Sequence, residues 1–263
     1  MTEEQLPSTF TYDASADFED MDDQDTITPR LLLAQALSPI VQDDNAKAGD
    51  VFTNQGSQII IPKGTEKDVV FLAWWKEWIE WNPDRGDKVN RILGRSTDKN
   101  SKLALRARRR EMVTNSDGKE VPAVQDVYNV VSLVPEISYT DPFLISFSRT
   151  NFKVWKRFIN YARGLKWIPP GKNEKEKLPI FAAAYSLSTA QEERDGNRWY
   201  EYRIGPAEFI TDTNTLNFLA KQATDLRENI EHMKEINSAA DSDSNLDDQE
   251  KGPSVDASAA AGI

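Results

Sequence analysis

Asp68-Val69-Val70-Phe71-Leu72-Ala73-Trp74-Trp75-Lys76-Glu77-Trp78-Ile79-Glu80-Trp81 is the stretch whose reading decides the fold. Its period is ambiguous. Trp74, Trp78 and Trp81 stand at i, i+4 and i+7, a helical spacing, yet Val, Phe and Trp are strand-favouring residues. No capping signal precedes the run, so composition decides for a long strand. Four of the seven tryptophans lie here. On a strand, neighbouring rings point to opposite faces, one toward a core and one outward. Core burial is the default use of tryptophan. Against it stand Trp75, Trp78 and Trp81, with Lys76, as candidates for outward contact.

Other strands follow from this one. Gln58–Pro62 holds three successive isoleucines ended by proline, Val124–Val134 is a second long strand, and Phe143–Ser148 is a third. Ile180–Leu187 and Arg198–Ile204 form a pair across Asp195-Gly196-Asn197. Arg149–Leu165 is the clearest helix, with Phe152, Trp155, Ile159 and Ala162 as its apolar stripe, Ser148 or Thr150 as cap and Gly164 as stop. Residues 82–122 read as an insertion between strands, helical from Leu103 to Met112 and turned at Asn115-Ser116-Asp117-Gly118. Pro29–Pro39 is a short apolar segment packed on the domain. Leu216, Leu219, Ala223, Leu226, Ile230 and Met233 make an a/d seam on a helix. The seam can pack on the protein's own core or pair with another copy. Three heptads are short for an independent coiled coil, which favours the core. The expected fold is mainly β, of the α+β class: an OB-like β-barrel with peripheral helices. Residues 1–27 form a disordered acidic tail, 28–210 the barrel domain, 211–237 a C-terminal helix and 238–263 a second disordered acidic tail.

Net charge is −11, but its distribution matters more. Residues 1–45 carry eleven acids and one base, and residues 238–263 carry six acids and one base. The middle, 46–237, is left with 26 acids and 30 bases. Bases cluster in two places: eleven against five acids from Asp84 to Lys119, and nine against two from Arg149 to Lys177. Such clusters can be ordinary solvated surface, or the electrostatic footprint of a phosphate-backbone binder. The aromatic residues favour the second, because rings stack on the exposed bases of a single strand. The candidate nucleic-acid contacts are therefore Trp75, Lys76, Trp78, Trp81, Arg85, Arg91, Arg95, Lys102, Arg106, Arg108, Arg109, Arg110, Tyr128, Arg149, Lys153, Lys156, Arg157, Arg198 and Tyr200.

Several function classes lose support. With no cysteine and only His232, disulfides and thiolate metal sites are excluded and a zinc or histidine-based catalytic site has no ligands to use. There is no Gly-rich phosphate loop. Glu77, Glu80, Asp126, Glu136 and Asp141 are carboxylates without a diagnostic spacing for a magnesium site. The expectation is a protein that is not an enzyme and uses no cofactor. No apolar run approaches the length of a membrane span, and Met1-Thr2-Glu3-Glu4 does not open a signal peptide, so no membrane partner is expected.

The order of segments resembles bacteriophage single-stranded DNA-binding proteins. The resemblance rests on Pro29–Pro39 followed by Ala48-Gly49-Asp50, and on the Trp-rich strand ending at Trp81. It continues through Val127-Tyr128-Asn129-Val130, Ser148-Arg149-Thr150-Asn151-Phe152-Lys153, and Pro179-Ile180-Phe181 to Trp199-Tyr200, over about residues 28–210. It implies an OB-type core, sequence-independent binding of single-stranded DNA in phage replication or recombination, and residence in the cytoplasm of the infected host cell. It also implies recruitment of replication or recombination proteins by the acidic C-terminal tail. Two departures stand out. The cysteine-rich insertion of related phage proteins is replaced by Leu93–Val121 with Arg106, Arg108, Arg109 and Arg110. The tail ends Ala260-Ala261-Gly262-Ile263, without the aromatic tip that recruits partners. The rival expectation is a structural or assembly protein of a phage virion, which acidic tails, a heptad seam and partner-facing tryptophans would equally suit.

A flexible polyanion tethered near a cationic groove competes for it at high effective concentration. Deleting residues 238–263 should tighten binding to single strands at low salt and leave the melting temperature nearly unchanged. The effect should fade as salt screens it. Equal affinities with and without the tail would reduce it to a solubilising appendage.

Overall fold

The computed structural model describes residues 28–84, 92–169, 171–194 and 196–230. Both expected acidic tails, Arg85, Arg91 and Met233 lie outside the described residues. In chain order the elements are β1 (Arg30–Leu33), α1 (Pro39–Gln42), β2 (Val51–Thr53), β3 (Ile59–Ile61), β4 (Glu66–Trp81) and β5 (Ile92–Ser96). There follow α2 (Lys102–Arg108), β6 (Met112–Thr114), β7 (Glu120–Pro122), β8 (Val124–Val134), β9 (Ser138–Ser148) and α3 (Arg149–Ala162). The last are β10 (Lys166–Trp167), β11 (Glu176–Lys177), β12 (Ala183–Arg194), β13 (Asn197–Phe209) and α4 (Thr213–Glu228).

The fold is mainly β, of the α+β class, with one sheet curled into a half-barrel. Its strands run in the order β13-β12-β4-β8-β9-β1-β2-β3, and β5 pairs with part of β4. β4 is the spine. It pairs with β12 through its first residues, with β8 along most of its length and with β5 at its end. The sequence missed β5, whose five residues carry no alternation strong enough to mark them. It also extended the β12 strand too early, since Ile180–Ala182 is a 3-10 turn.

β4 is apolar on both faces because helices cover both, as in sheets with two buried sides. A register shift between Phe71 and Ala73 marks a bulge, so alternation restarts there. On the inner face Phe71 meets Trp155 edge-on at 5.1 Å and stacks near Tyr185 at 5.5 Å. Helix α3 touches the neighbouring strands β8 and β9 and also β13 at the far edge of the sheet, so it lies within the curl rather than at the periphery. Its buried residues are Val154, Trp155 and Phe158; Ile159 and Ala162 only flank that core. On the outer face Val70, Leu72, Trp75, Val131, Leu133 and Leu144 pack with Leu219 and Ala223 of α4. Leu226 and Ile230 pack against the same cluster. The a/d seam is therefore seated on the protein's own sheet as far as Ile230. Asp212 caps α4 by accepting from the Thr215 amide at 2.7 Å, and hydrogen bonding from the Thr215 side chain first, then from its amide, holds the carboxyl below the usual carboxylate range.

The half-barrel is held across its gap by side chains instead of a strand ladder. Gln35 Oε1 accepts from the Tyr200 amide and Gln35 Nε2 donates to the Tyr200 carbonyl, each at 2.9 Å. Asn151 Oδ1 accepts from the Tyr202 amide at 2.8 Å, and the Tyr202 hydroxyl donates to the Leu31 carbonyl at 3.3 Å. These bonds satisfy part of the β13 edge, which would otherwise be open to another chain. Gly49 completes the closure. Its φ is +102°, and a Cβ there would lie 2.6 Å from a ring carbon of Tyr200. Gly49→Ala should cost about 2–4 kcal/mol, combining left-handed strain with overpacking. Denaturant unfolding checks this, and Tyr200→Ala in the same chain should recover part of the loss. A neutral Gly49→Ala would mean the contact is slack.

Candidate nucleic-acid interface

Beyond the bulge, Trp74, Lys76 and Trp78 take the inner face of β4, while Trp75 and Glu77 turn to the outer one. Trp74 is 39 % exposed, whereas Trp75 and Trp78 are each 5 % exposed. Trp75 fills the core under α4, and Trp78 fills a small core with Ala104, Ala123 and Val124 beneath the insertion. These two rings, expected to face nucleic acid, are packed against protein and have no face to offer. Trp81 is partly buried at the end of the strand.

The exposed ring is Trp74, and it has company. Its neighbour across β8 is Tyr128, edge-on at 5.7 Å. Tyr128 stacks on Phe152 of α3 at 4.9 Å and 13°. Lys76 Nζ lies over this group, 5.7 Å from the Tyr128 ring, 5.5 Å from Phe152 and 4.8 Å from Trp78. Asp126 fixes the ammonium at 2.5 Å. Burial, followed by the Asp126 charge, pushes the Tyr128 phenol up, so it stays a neutral hydrogen-bonding ring at ordinary pH. Arg149, Phe152 and Lys156 recur at i, i+3 and i+7 on α3, one flank of the helix. Arg149, Lys153 and Lys156 are exposed there, beside the aromatic group. The result is a strip with rings in its floor and cations along its border.

The remaining expected contacts divide by what they already hold. Arg106 is bound by Glu80 at 2.5 Å and Glu111 at 2.9 Å, and the Glu80 bond chiefly raises its pKa. Arg95 meets Glu77 at 3.3 Å inside a largely buried network, where Asn129 donates to Glu77 at 2.8 Å and Ser146 to Asn129 at 2.6 Å. Arg198 pairs with Glu193 at 2.7 Å. Arg108 donates to the Lys99 carbonyl at 2.8 Å, while Arg109, Arg110 and Lys102 are exposed on the insertion. Arg157, one turn on from Lys153, lines a shallow groove of about 370 Å³ with Phe158, Tyr161 and Ile204. Tyr200 is packed on Gly49. Arg85 and Arg91 lie outside the described residues.

Sequence reasoning missed Trp74 and Phe152. Phe152 carried a signal, since a ring in the first turn of a basic helix is well placed to join a cationic surface. The carboxylates Glu77, Glu80, Asp126 and Glu136 face Arg95, Arg106, Lys76 and Lys67 respectively. Among the described residues no three His, Cys, Asp or Glu side chains gather as metal ligands.

Fold and surface together define a β-rich half-barrel protein presenting an aromatic strip bordered by cations. The chain belongs to the Pam3 phage gp34-like protein family, a family of phage proteins whose model matches residues 1–235. No curated protein and no solved structure matches it.

Trp74 and Trp75 are adjacent and should behave oppositely. Trp75→Ala should cost about 3–5 kcal/mol, as for other large core truncations. Trp74→Ala should cost less than about 1.5 kcal/mol, as for a surface residue with limited packing. Chemical denaturation of both variants checks this, and equal losses would place Trp74 in the core.

Proposed function

We propose that this phage protein binds single-stranded DNA without sequence preference and performs no chemistry on it, serving phage replication or recombination in the infected host's cytoplasm. The observation that carries it is the Trp74–Tyr128–Phe152 group, with Lys76 over it and Arg149, Lys153 and Lys156 along its edge. A single strand needs two things from a protein surface. Its bases need flat apolar faces, each stacked base contributing about 1–3 kcal/mol, and its phosphates need mobile cations. The strip offers both within one helix and two strands. The Tyr128–Phe152 pair, already stacked with each other, would present ring edges and outer faces, and Trp74 the larger open surface.

Electrophoretic mobility or fluorescence anisotropy with a labelled oligonucleotide tests the proposal. Affinity should fall steeply with salt. Lys153→Ala and Lys156→Ala should each make the log–log slope shallower by about 0.7, the single-strand value per phosphate contact. Trp74→Ala should weaken binding by about 5- to 100-fold, one stacked base, with an unchanged slope. Arg106→Ala should act on stability instead, because its partners are Glu80 and Glu111. No mobility shift at low salt would return the protein to the virion-assembly alternative.

A further inference from the structure

Helix α3 and the end of β13 enclose a shallow groove of about 370 Å³. Its floor is apolar, made by Val154, Phe158 and Ile204, with Tyr161 and Pro206 at its sides. Arg157 and Arg203 border it, and they are not equivalent. Arg203 already holds Glu192 and Glu201. Arg157 is exposed and has no carboxylate in contact among the described residues. The groove also contains an open rung of the sheet edge. β13 is the outermost strand of its sheet, and Tyr200, Tyr202 and Ala207 turn their amides away from β12, to Gln35, Asn151 and the Tyr161 hydroxyl. Strand alternation turns Ile204 the same way, and among the described residues no bond to its amide is found. A bulge at Gly205 and Pro206 then ends the edge.

An apolar floor, an unpaired cation and one open rung fit a short extended segment that carries a large apolar side chain among acids. We infer that the groove docks this chain's own Asp17-Phe18-Glu19-Asp20-Met21-Asp22-Asp23, with Phe18 on the apolar floor and the flanking carboxylates at Arg157. Charge and apolar content select this occupant, because five of its seven residues are acids and the other two are Phe18 and Met21. The other acidic stretch, 238–263, has no aromatic ring, and the helix before it, α4, lies on the outer face of the sheet. Position selects it as well. Gln35 is bound at Tyr200 and Leu31 at Tyr202, so the chain followed back toward Thr28 runs along β13 in the direction of Ile204. Phe18 stands ten residues before Thr28, and ten residues reach up to about 33–36 Å when extended. The inference does not depend on the strand-binding proposal.

The chain has no cysteine, so Ser15→Cys in the full-length protein carries a nitroxide spin label at one place, three residues from Phe18. In its amide NMR spectrum Tyr161, Ile204, Gly205 and Ala207 should lose most of their intensity, and chemical reduction of the label should restore it. Phe18→Ser and Arg157→Glu, each in the labelled chain, should separately abolish the loss. Unchanged amide positions for the core residues Val130 and Leu187 would show that both variants keep the fold. No selective loss, a loss centred on Trp74 and Lys76 instead, or a loss indifferent to both substitutions would overturn the docking. Broadening in a mixture of spin-labelled protein with isotope-labelled, spin-free protein would overturn it too, because the segment would then sit on a second copy.

Discussion

The bulge at Leu72 in β4 is the constraint on which the surface depends. A strand has a side-chain period of two, so one extra residue sends everything beyond it to the other face. Before the bulge, Phe71 points into the curl and Val70 toward α4. Unbroken alternation from Phe71 would put Trp75 and Glu77 inward, with Trp74 and Lys76 under α4. The shift reverses this. It brings Trp74 and Lys76 to Tyr128 and Phe152, and lets Trp75 join Leu219 and Ala223 in the outer core. The outer face is then consistent in its own terms, because the carboxylate of Glu77, only 2 % exposed, is met there by Arg95 and Asn129.

The second constraint is the placement of α3. An open curl of this kind would need its interior filled, and Trp155 and Phe158 do so against Phe71, Phe147 and Tyr185. A helix seated inside the curl cannot also leave a deep channel. Its first turn must emerge at the rim, and Arg149, Phe152 and Lys153 emerge with it. On the proposed function a single strand would therefore meet the rim and the strands next to it, not the interior of the half-barrel. The cations of α3 share one solvent-facing arc, with Lys156 toward the aromatic group and Arg157 toward Arg203 and Ile204 of β13.

Much of this was legible in the sequence. The long strands at 68–81 and 124–134, the hairpin turn at Asp117-Gly118, the helix from Arg149 and the seam of α4 all follow from composition and period. The fold class follows from them. The choice among the tryptophans was not legible, because composition gives no notice of a bulge and adjacent Trp74 and Trp75 look alike in a sequence. Phe152 was misplaced for a related reason. A helical stripe through Trp155 can be centred a residue either way, and the true centre lies toward Val154 and Phe158. Cation roles were hidden as well. Arg106 sits in a basic run, yet its carboxylate partner Glu80 is 26 residues away on another element.

That hidden pairing changes how the charge of the chain should be weighed. The arginine-rich run from 106 to 110 looks like the densest phosphate site, but one of its members ties α2 to β4. Exposed ion pairs are worth little singly, whereas a guanidinium shared by two carboxylates and only 18 % exposed is a fixed structural tie. The cations with freedom to meet a phosphate are then those whose side chains reach solvent without a carboxylate in contact. Among the described residues these include Lys153, Lys156 and Arg157 on α3, and Lys102, Arg109 and Arg110 on the insertion. Lys76 is intermediate, held by Asp126 but seated over three rings, so its charge serves to polarise the aromatic floor more than to neutralise a strand. On the proposed function, the Tyr128–Phe152 pair is already stacked, and a preformed floor of this kind would lower the ordering cost of binding a base.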